Sequence, residues 1–280
     1  MIFEWGFAMK ELGEELIVTR TNQSSDKLLN LLEFLTEQSE PLRLQDISRS
    51  CGMNASTALR FLNALQRRKY VEQDVQTGRY YLTFKLCALA QNVKSFFDIR
   101  SIALPFLRNV AHIFSESCNL SVERDMTVMY IDVAEGPNKT LISTQRIGNV
   151  APLHCTGVGK LFLTEYSPAS LEQFIILKPL TKYTAYTITK PEALKEELES
   201  VKKLGYAFDN EECEGGVRCV AAPIRNYTEK IKACISVSGP TVRMTDEHIF
   251  RHLPFLMEAA EQISYRLGWQ QGSSHARPQD

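Results

Sequence analysis

The clearest candidate for chemistry in this sequence is a short run of hydroxyl, amide and guanidinium groups near residue 60. A helix that buries its leucines would expose four polar side chains together: Ser56, Thr57, Arg60 and Asn63. An arginine can donate two hydrogen bonds to a guanine, and hydroxyls can contact phosphates or base edges. A basic run, Arg67-Arg68-Lys69, follows with no acidic residue between Arg60 and Lys69. The segment predicts contact with duplex DNA. The alternative is a helical packing unit with a solvated basic end.

A second group of candidates consists of small polar groups within apolar segments of the C-terminal half. Its members are the main-chain N–H groups of Gly157 and Val158 and the side chains of Asp209, Cys219, Ser236 and Ser238. The first two begin a helical segment, whose first N–H groups have no acceptor inside the helix and therefore suit a carboxylate. The two serines alternate along a strand and share one face. The residues alone leave two interpretations open: a ligand site, or a packed cap with serines bonded to the backbone.

Three other arrangements suggest catalysis or metal binding, and none has the spacing that either function requires. His154 and Cys155 are adjacent, whereas a catalytic base and nucleophile usually come from separate elements. The spacings of His248 with His252 and of the pair Cys213–Cys219 are not those of recognised zinc sites. No glycine-rich phosphate loop is present. We therefore expect no enzymatic activity, no metal and no cofactor.

The bulk composition describes an ordinary globular chain. Its 280 residues fit two domains, and 44% hydrophobic with 23% charged residues can bury a sizeable core. A net charge of −1 requires any DNA-binding charge to be local. The 7 cysteines contain no CxxC, which favours a reducing compartment, and no apolar run approaches the roughly 18–20 residues that span a bilayer. We expect a cytoplasmic protein.

Periodicity and caps predict three short helices near the N-terminus, at 25–37, at 44–51 and after the cap Asn54. The third is predicted to turn four residues inward: Ala58, Leu59, Leu62 and Leu65. Strand-like runs at 70–73 and 79–82, around Thr77-Gly78, add a hairpin. This order is typical of a winged helix-turn-helix.

The remainder alternates helices and strands. Helices are predicted at 84–97, 99–117 (with Pro105 kinking or restarting it), 157–177, 191–204 and 246–269, and strands at 120–123, 128–133, 140–144, 217–224 and 231–238. The pattern predicts an α+β fold with an antiparallel sheet. The predicted domains are a disordered extension (1–22), a winged helix-turn-helix (23–83), a linker helix (84–98), a ligand-binding domain (99–270) and a disordered tail (271–280).

Residues from about 24 to 269 resemble the IclR family of bacterial transcriptional regulators. The matching motifs, in order, are LQDISRSCGMNASTALRFLNALQRRKYV, TGRYYLTFKL, APLHCTGVGKLFL, GYAFDNEECEGGVRCVAAPI and ISVSGP. Family members usually carry a lysine at the position of Ala55 and often a histidine or tyrosine at that of Leu59. Both differences remove polar side chains that could contact DNA, and Val158 is bulkier than the alanine or glycine often found there.

The resemblance implies a winged-helix domain, a linker helix, a GAF-like effector-binding domain, and homodimers or homotetramers on a palindromic operator. The candidate DNA contacts are Arg43, Ser56, Thr57, Arg60, Asn63, Arg67, Arg79 and Tyr80. The family's pocket for a small carboxylate-type metabolite maps onto Leu153, Gly157, Val158, Asp209, Cys219, Ser236 and Ser238.

Together these observations predict a ligand-responsive regulator, expected to repress a catabolic operon, in which the metabolite alters operator binding allosterically. The alternative is a GAF-like small-molecule-binding or enzymatic protein whose N-terminal domain only mediates assembly.

Overall fold

The computed structural model describes residues 22–94, 98–138 and 147–270. These residues form two compact units, one ending at 94 and the other comprising 98–270. The extension predicted at 1–22 (apart from Asn22), the end of the linker helix at 95–97, the strand at 140–144 and the tail at 271–280 lie outside the described residues. No helix of the described ranges has the length and apolar character needed to cross a bilayer.

The first unit contains helices α1 (Gln23–Thr36), α2 (Leu44–Ser50) and α3 (Ala55–Arg67), the strands β1 (Val71–Gln73) and β2 (Tyr80–Leu82), and helix α4 (Lys85–Lys94). The two strands form an antiparallel hairpin. Leucine, isoleucine and aromatic side chains from all three N-terminal helices and the hairpin share one core. The predicted winged helix-turn-helix is therefore present.

One prediction for this unit is wrong in detail. Leu59 does not face the core, since 37% of its surface is exposed, and Phe61 is buried in its place. The inner face of α3 consists of Ala58, Phe61, Leu62 and Leu65. Both choices fit helical periodicity, and the aromatic ring buries more apolar surface than leucine does.

The second unit contains helices α5 (Ile99–Phe114), α6 (Gly157–Leu163), α7 (Pro168–Leu177), α8 (Pro191–Leu204) and α9 (Asp246–Arg266), and the strands β3 (Ser117–Arg124), β4 (Thr127–Ala134), β5 (Val150–Ala151), β6 (Ala207–Asn210), β7 (Val217–Arg225) and β8 (Ile231–Pro240). The strands form one antiparallel sheet in the order β5-β4-β3-β8-β7-β6. The α+β class is confirmed.

Each face of this sheet is covered by helices. Apolar residues of α5 and α9 pack with Leu120, Val220 and Ile235 on one face. Residues of α6, α7 and α8 pack with Ala221 and Cys234 on the other. Side chains alternate between the faces along each strand, so the sheet is buried on both sides.

Several boundaries differ from the predictions. The helix predicted at 99–117 runs uninterrupted through Pro105 and ends at Phe114, where Ser115 adopts a left-handed conformation. The segment 157–177 forms two helices because Ser167 caps a new one, its hydroxyl accepting the N–H of Ser170. The short strands β5 and β6 were not predicted.

Candidate functional sites

The first candidate site is the exposed face of α3. Gly52, at φ +60°, ends the turn after α2, and Asn54 caps α3 by accepting the N–H of Thr57 at 2.8 Å. The exposed residues spaced along this face are Ser56, Leu59, Arg60, Asn63 and Arg67. Thr57 is half-buried at its side. The face extends from the first turn of the helix to the last, so polar groups and a leucine share one outward surface.

Basic groups surround this face, and one proposed contact is misplaced. Arg43, Arg67, Arg68 and Lys69 are exposed. Arg79 is half-buried and donates from Nη1 to the Pro41 carbonyl at 3.2 Å. Tyr80 is only 4% exposed and lies in the core, and its main-chain N–H and C=O pair with Leu42. The expectation that Tyr80 contacts DNA is wrong, because alternation along β2 turns Tyr81 outward instead.

The tip of the hairpin carries no basic side chain. Its residues are Asp74-Val75-Gln76-Thr77, and the Asp74 carboxylate accepts the N–H groups of Gln76 and Thr77, which fixes the turn. Val75 is fully exposed. The tip thus carries an acid and no base, whereas four basic residues lie on α3 or just after it: Arg60, Arg67, Arg68 and Lys69.

The second candidate site lies between α6 and the sheet. Strand register places Asp209, Cys219 and Ser238 side by side across β6, β7 and β8, and Ser236 lies in the next row beside Ala221. The thiol of Cys219 is hydrogen-bonded by both serines. All these residues are buried, yet Asp209, Cys219 and Ser238 retain 6–7% exposure. The structure therefore brings the predicted polar groups into one layer.

Helix α6 lies directly on this layer. A Cβ atom on Gly157 would approach the Ala207 carbonyl to 3.0 Å, and one on Gly159 would clash with the main chain of Leu153. The Thr156 hydroxyl caps the helix by accepting the N–H of Gly159 at 3.2 Å. The first-turn N–H groups of Gly157 and Val158 have no acceptor within the helix. They begin the helix where its backbone approaches Ala207 of β6 and Ala221 of β7, beside the polar layer.

Asp209 is the charged group of the layer. Its Oδ1 accepts the N–H of Glu212 at 2.8 Å and that of Cys213 at 3.3 Å. Burial raises its pKa to about 7, and these two hydrogen bonds oppose the rise without cancelling it. The carboxyl group is therefore close to half protonated near neutral pH.

This pKa predicts a pH effect on stability. Because the folded-state pKa lies above the unfolded one, the folded protein holds an extra proton between about pH 4 and 7, and each pH unit of rise costs up to about 1.4 kcal/mol. Asp209→Asn keeps an oxygen for the two N–H groups and does not titrate. We expect the unfolding free energy of wild type minus that of the variant to fall from pH 4 to 7 in urea titrations. A difference that stays constant or rises would contradict the assignment.

A buried ion pair holds the elements around the layer. Lys160, 1% exposed on α6, donates from Nζ to Glu212 at 2.6 Å, to Glu197 on α8 at 2.8 Å and to the Phe208 carbonyl at 3.0 Å. Burial would lower the pKa of Lys160, but the two carboxylates outweigh it and raise that pKa above its ordinary value. This network joins α6 to α8 and to β6 and the turn after it.

Sequence reasoning missed three groups around the layer, Asn119, Lys160 and Glu212. It weighed Cys155 and Cys213 only for catalysis or metal binding, and it named the strand at 128–131, which carries Tyr130, only as a candidate pocket wall. Asn119 lies opposite Ser236 in the register. Burial, with Cys219 and Cys213 nearby, raises the pKa of Tyr130. A hydrogen bond to Cys213 and burial raise that of Cys155. Lysine within the apolar helix GVGKLFL was a readable signal of a buried ion pair, whereas the other groups are brought to the layer by strand pairing or by loops that follow or precede it.

The catalytic and metal alternatives find no support in the geometry. His154 Nε2 lies 3.0 Å from the Thr181 carbonyl, while the free thiol of Cys155 makes a hydrogen bond with the free thiol of Cys213, so His154 and Cys155 do not form a base–nucleophile pair. His248 and His252 bond to main-chain carbonyls. Among the described residues no group of three or more histidine, cysteine or acidic side chains could hold a metal ion.

A separate cleft of about 350 Å³ opens beside β5 and the segment 178–183. Its lining includes Val150, Leu153, Phe174 and Tyr183. Of the proposed ligand contacts, only Leu153 lines it. The cleft is therefore not the polar layer beneath α6.

Comparison with known proteins matches both units to known domains. Residues 24–75 match the IclR helix-turn-helix domain, and residues 91–265 match the C-terminal domain of the bacterial transcriptional regulator IclR. The chain is 32% identical over 247 residues to HTH-type transcriptional regulator XynR of Escherichia coli, covering 88% of this chain and 98% of that protein. It is 30% identical over 248 residues to Transcriptional repressor IclR of the same organism, covering 88% and 90%. A crystal structure of a putative IclR transcriptional regulator from Silicibacter sp. TM1040 is 26% identical, with a TM-score of 0.74, covering 88% and 96%.

Proposed function

Because the chain belongs to the IclR family of bacterial transcriptional regulators, we propose that it is a repressor of a catabolic operon that responds to a small organic acid. It is a DNA-binding regulator and not an enzyme. Its relatives are likewise named as transcriptional regulators. The observation that carries the proposal is the outward face of α3, where Ser56, Arg60 and Asn63 stand together. Repression is supported by a relative that is itself named a repressor.

The outward face of α3 suits the major groove, which is about 12 Å wide and admits one helix. Arg60 would pair with a guanine, and Ser56 and Asn63 would contact neighbouring base edges. Thr57, Arg43, Arg67 and Arg79 would bind phosphates, which fix the register of the protein on DNA. Each neutralised phosphate releases counterions, so affinity should fall as salt rises.

The polar layer beneath α6 suits a small carboxylate. The N–H groups of Gly157 and Val158, at the positive end of the helix, would bind the carboxylate. Cys219, Ser236 and Ser238 would bond to other polar atoms of the ligand, and Leu153 would contact its apolar part. Asp209, being close to half protonated, can donate to a carbonyl or hydroxyl, or accept from a hydroxyl, without placing a full negative charge beside the acid.

The regulator acts in the bacterial cytoplasm as a homodimer or homotetramer on a palindromic operator. Helix α4 presents apolar surface that a second copy can cover, since Leu89 is 42% exposed and Phe84, just before the helix, is 89% exposed. The oligomer adopts two states that differ in their affinity for the operator. The ligand shifts the equilibrium between these states by no more than the difference between its own affinities for them.

The ligand proposal is tested with Ser238→Ala. An operator is first selected from random duplexes, and small mono- and dicarboxylic acids are then screened for stabilisation of the full-length protein and for a change in operator affinity. We expect an active acid to require about a tenfold higher concentration with Ser238→Ala, because one hydrogen bond is lost, while operator affinity without ligand is unchanged.

The matched control is Ser170→Ala, which removes an exposed hydroxyl from α7 in the same unit. It should respond as wild type does. Equal responses of wild type and Ser238→Ala to every active acid would show that the ligand binds elsewhere.

A further inference from the structure

The surface of α3 contains one large apolar side chain among its polar groups. Leu59 is 37% exposed, with Ser56 one turn before it, Asn63 one turn after it and Arg60 beside it. Ala55, also exposed, continues the apolar surface toward the start of the helix. A leucine exposed alone on a protein surface is ordinary. This one lies at the centre of the proposed DNA-binding face.

The position of Leu59 within the helix places it close to base edges. It is the fifth residue of α3, which begins at Ala55, and the N-terminal half of a recognition helix is the part that enters the groove. When α3 enters the groove, the Leu59 side chain loses its water. Its burial stabilises the complex only if an apolar group of the DNA receives it. In the major groove, the apolar group at a base edge is the 5-methyl of thymine.

The neighbouring side chains cannot replace this contact. The Ser56 hydroxyl donates to Asn54 Oδ1 at 2.8 Å, so it presents acceptor lone pairs to the groove. Arg60 presents hydrogen-bond donors, and its guanidinium carbon lies 5.4 Å from the centre of the Phe61 ring. The face thus presents an acceptor, an apolar group and a donor in sequence.

We propose that Leu59 contacts the 5-methyl group of a thymine in each operator half-site and thereby determines sequence preference at that base pair. Adjacent residues in a helix rise about 1.5 Å along its axis, and stacked bases rise about 3.4 Å. The thymine therefore lies within one or two base pairs of the guanine bound by Arg60. This inference rests on the proposed operator binding and adds a specific base contact to it.

The experiment removes the methyl group from the DNA and the leucine from the protein. Each thymine of the selected operator is replaced in turn by deoxyuridine, which lacks only the 5-methyl, and dissociation constants are measured by fluorescence anisotropy for wild type and Leu59→Ala. At one position per half-site, wild type should lose about fourfold in affinity, the value expected for one buried methyl. Leu59→Ala should bind the two DNAs equally.

Two controls separate this contact from general effects. Leu29→Ala removes an exposed leucine from α1 of the same unit and should keep the thymine preference. Thermal melting checks that Leu59→Ala folds, as its exposure leads us to expect.

The outcomes are distinct. If no thymine is sensitive, or if Leu59→Ala retains the wild-type preference for thymine over deoxyuridine, the assignment of Leu59 is overturned while operator binding stands. If no sequence is enriched from the random duplexes, the proposed operator binding is overturned and this inference with it.

Discussion

Replacing Arg60 with alanine is expected to weaken operator binding by about 10–100-fold, because a bidentate arginine–guanine pair contributes about 1–3 kcal/mol of discrimination. The loss should be concentrated on the specific sequence, with much less effect on binding to unrelated duplexes. Dissociation constants for both kinds of DNA at one fixed salt concentration measure this, since salt alone changes affinity strongly.

The control is Arg108→Ala, which removes an exposed arginine from α5 in the other unit. It should leave operator affinity unchanged. If Arg60→Ala weakens operator and unrelated DNA by the same factor, Arg60 contacts only phosphate. If it weakens neither, the outward face of α3 is not the DNA-binding surface.

Replacing Lys160 with methionine is expected to lower the free energy of unfolding by about 3–5 kcal/mol, the usual cost of leaving a buried carboxylate without its partner. Glu212, 6% exposed, would lose its ion pair, and the Phe208 carbonyl would lose a donor. Urea titration of the full-length protein, followed by circular dichroism, measures the change.

Two variants test whether the charge is the cause. Lys202→Ala breaks an exposed pair with Glu199 and should cost at most about 1 kcal/mol. Adding Glu212→Gln to Lys160→Met removes the unpaired charge and should recover part of the lost stability. A double variant no more stable than the single one would attribute the loss to packing of the lysine stem.

The first unit was predictable because its signals are local. Helix α3 was placed correctly because the signals that define it act within a few positions of the chain. These signals are the Asn54 cap, the glycine at 52 and the spacing of apolar residues. The error at Leu59 arose where two apolar residues could each complete the buried face. Phe61 is the residue that is buried, because of tertiary packing that helical periodicity does not encode.

The second unit was less predictable because its site is built from distant segments. The alignment of Asp209, Cys219 and Ser238 depends on the register of three strands. β6 is short and carries polar residues, so it gave no strand signal. The partners of Lys160 are 37 and 52 positions away. Resemblance to the family supplied the ligand contacts, and their ligand-binding role stays a prediction.

The turn at 211–213 is held by side chains from two places, Asp209 on β6 and the loop at 184–187, so a ligand that moves Asp209 would also act on this loop. The carboxylate of Asp209 faces the layer and also holds the main chain of this turn through Glu212 and Cys213. The hydroxyls of Thr184 and Thr187 hold the carbonyls of the same turn at 2.6 Å. A ligand that attracts the Asp209 carboxylate would pull it away from the N–H groups of Glu212 and Cys213 and so displace the backbone of this turn. Because Thr184 and Thr187 bond to the same turn, such a displacement would also act on the loop at 184–187.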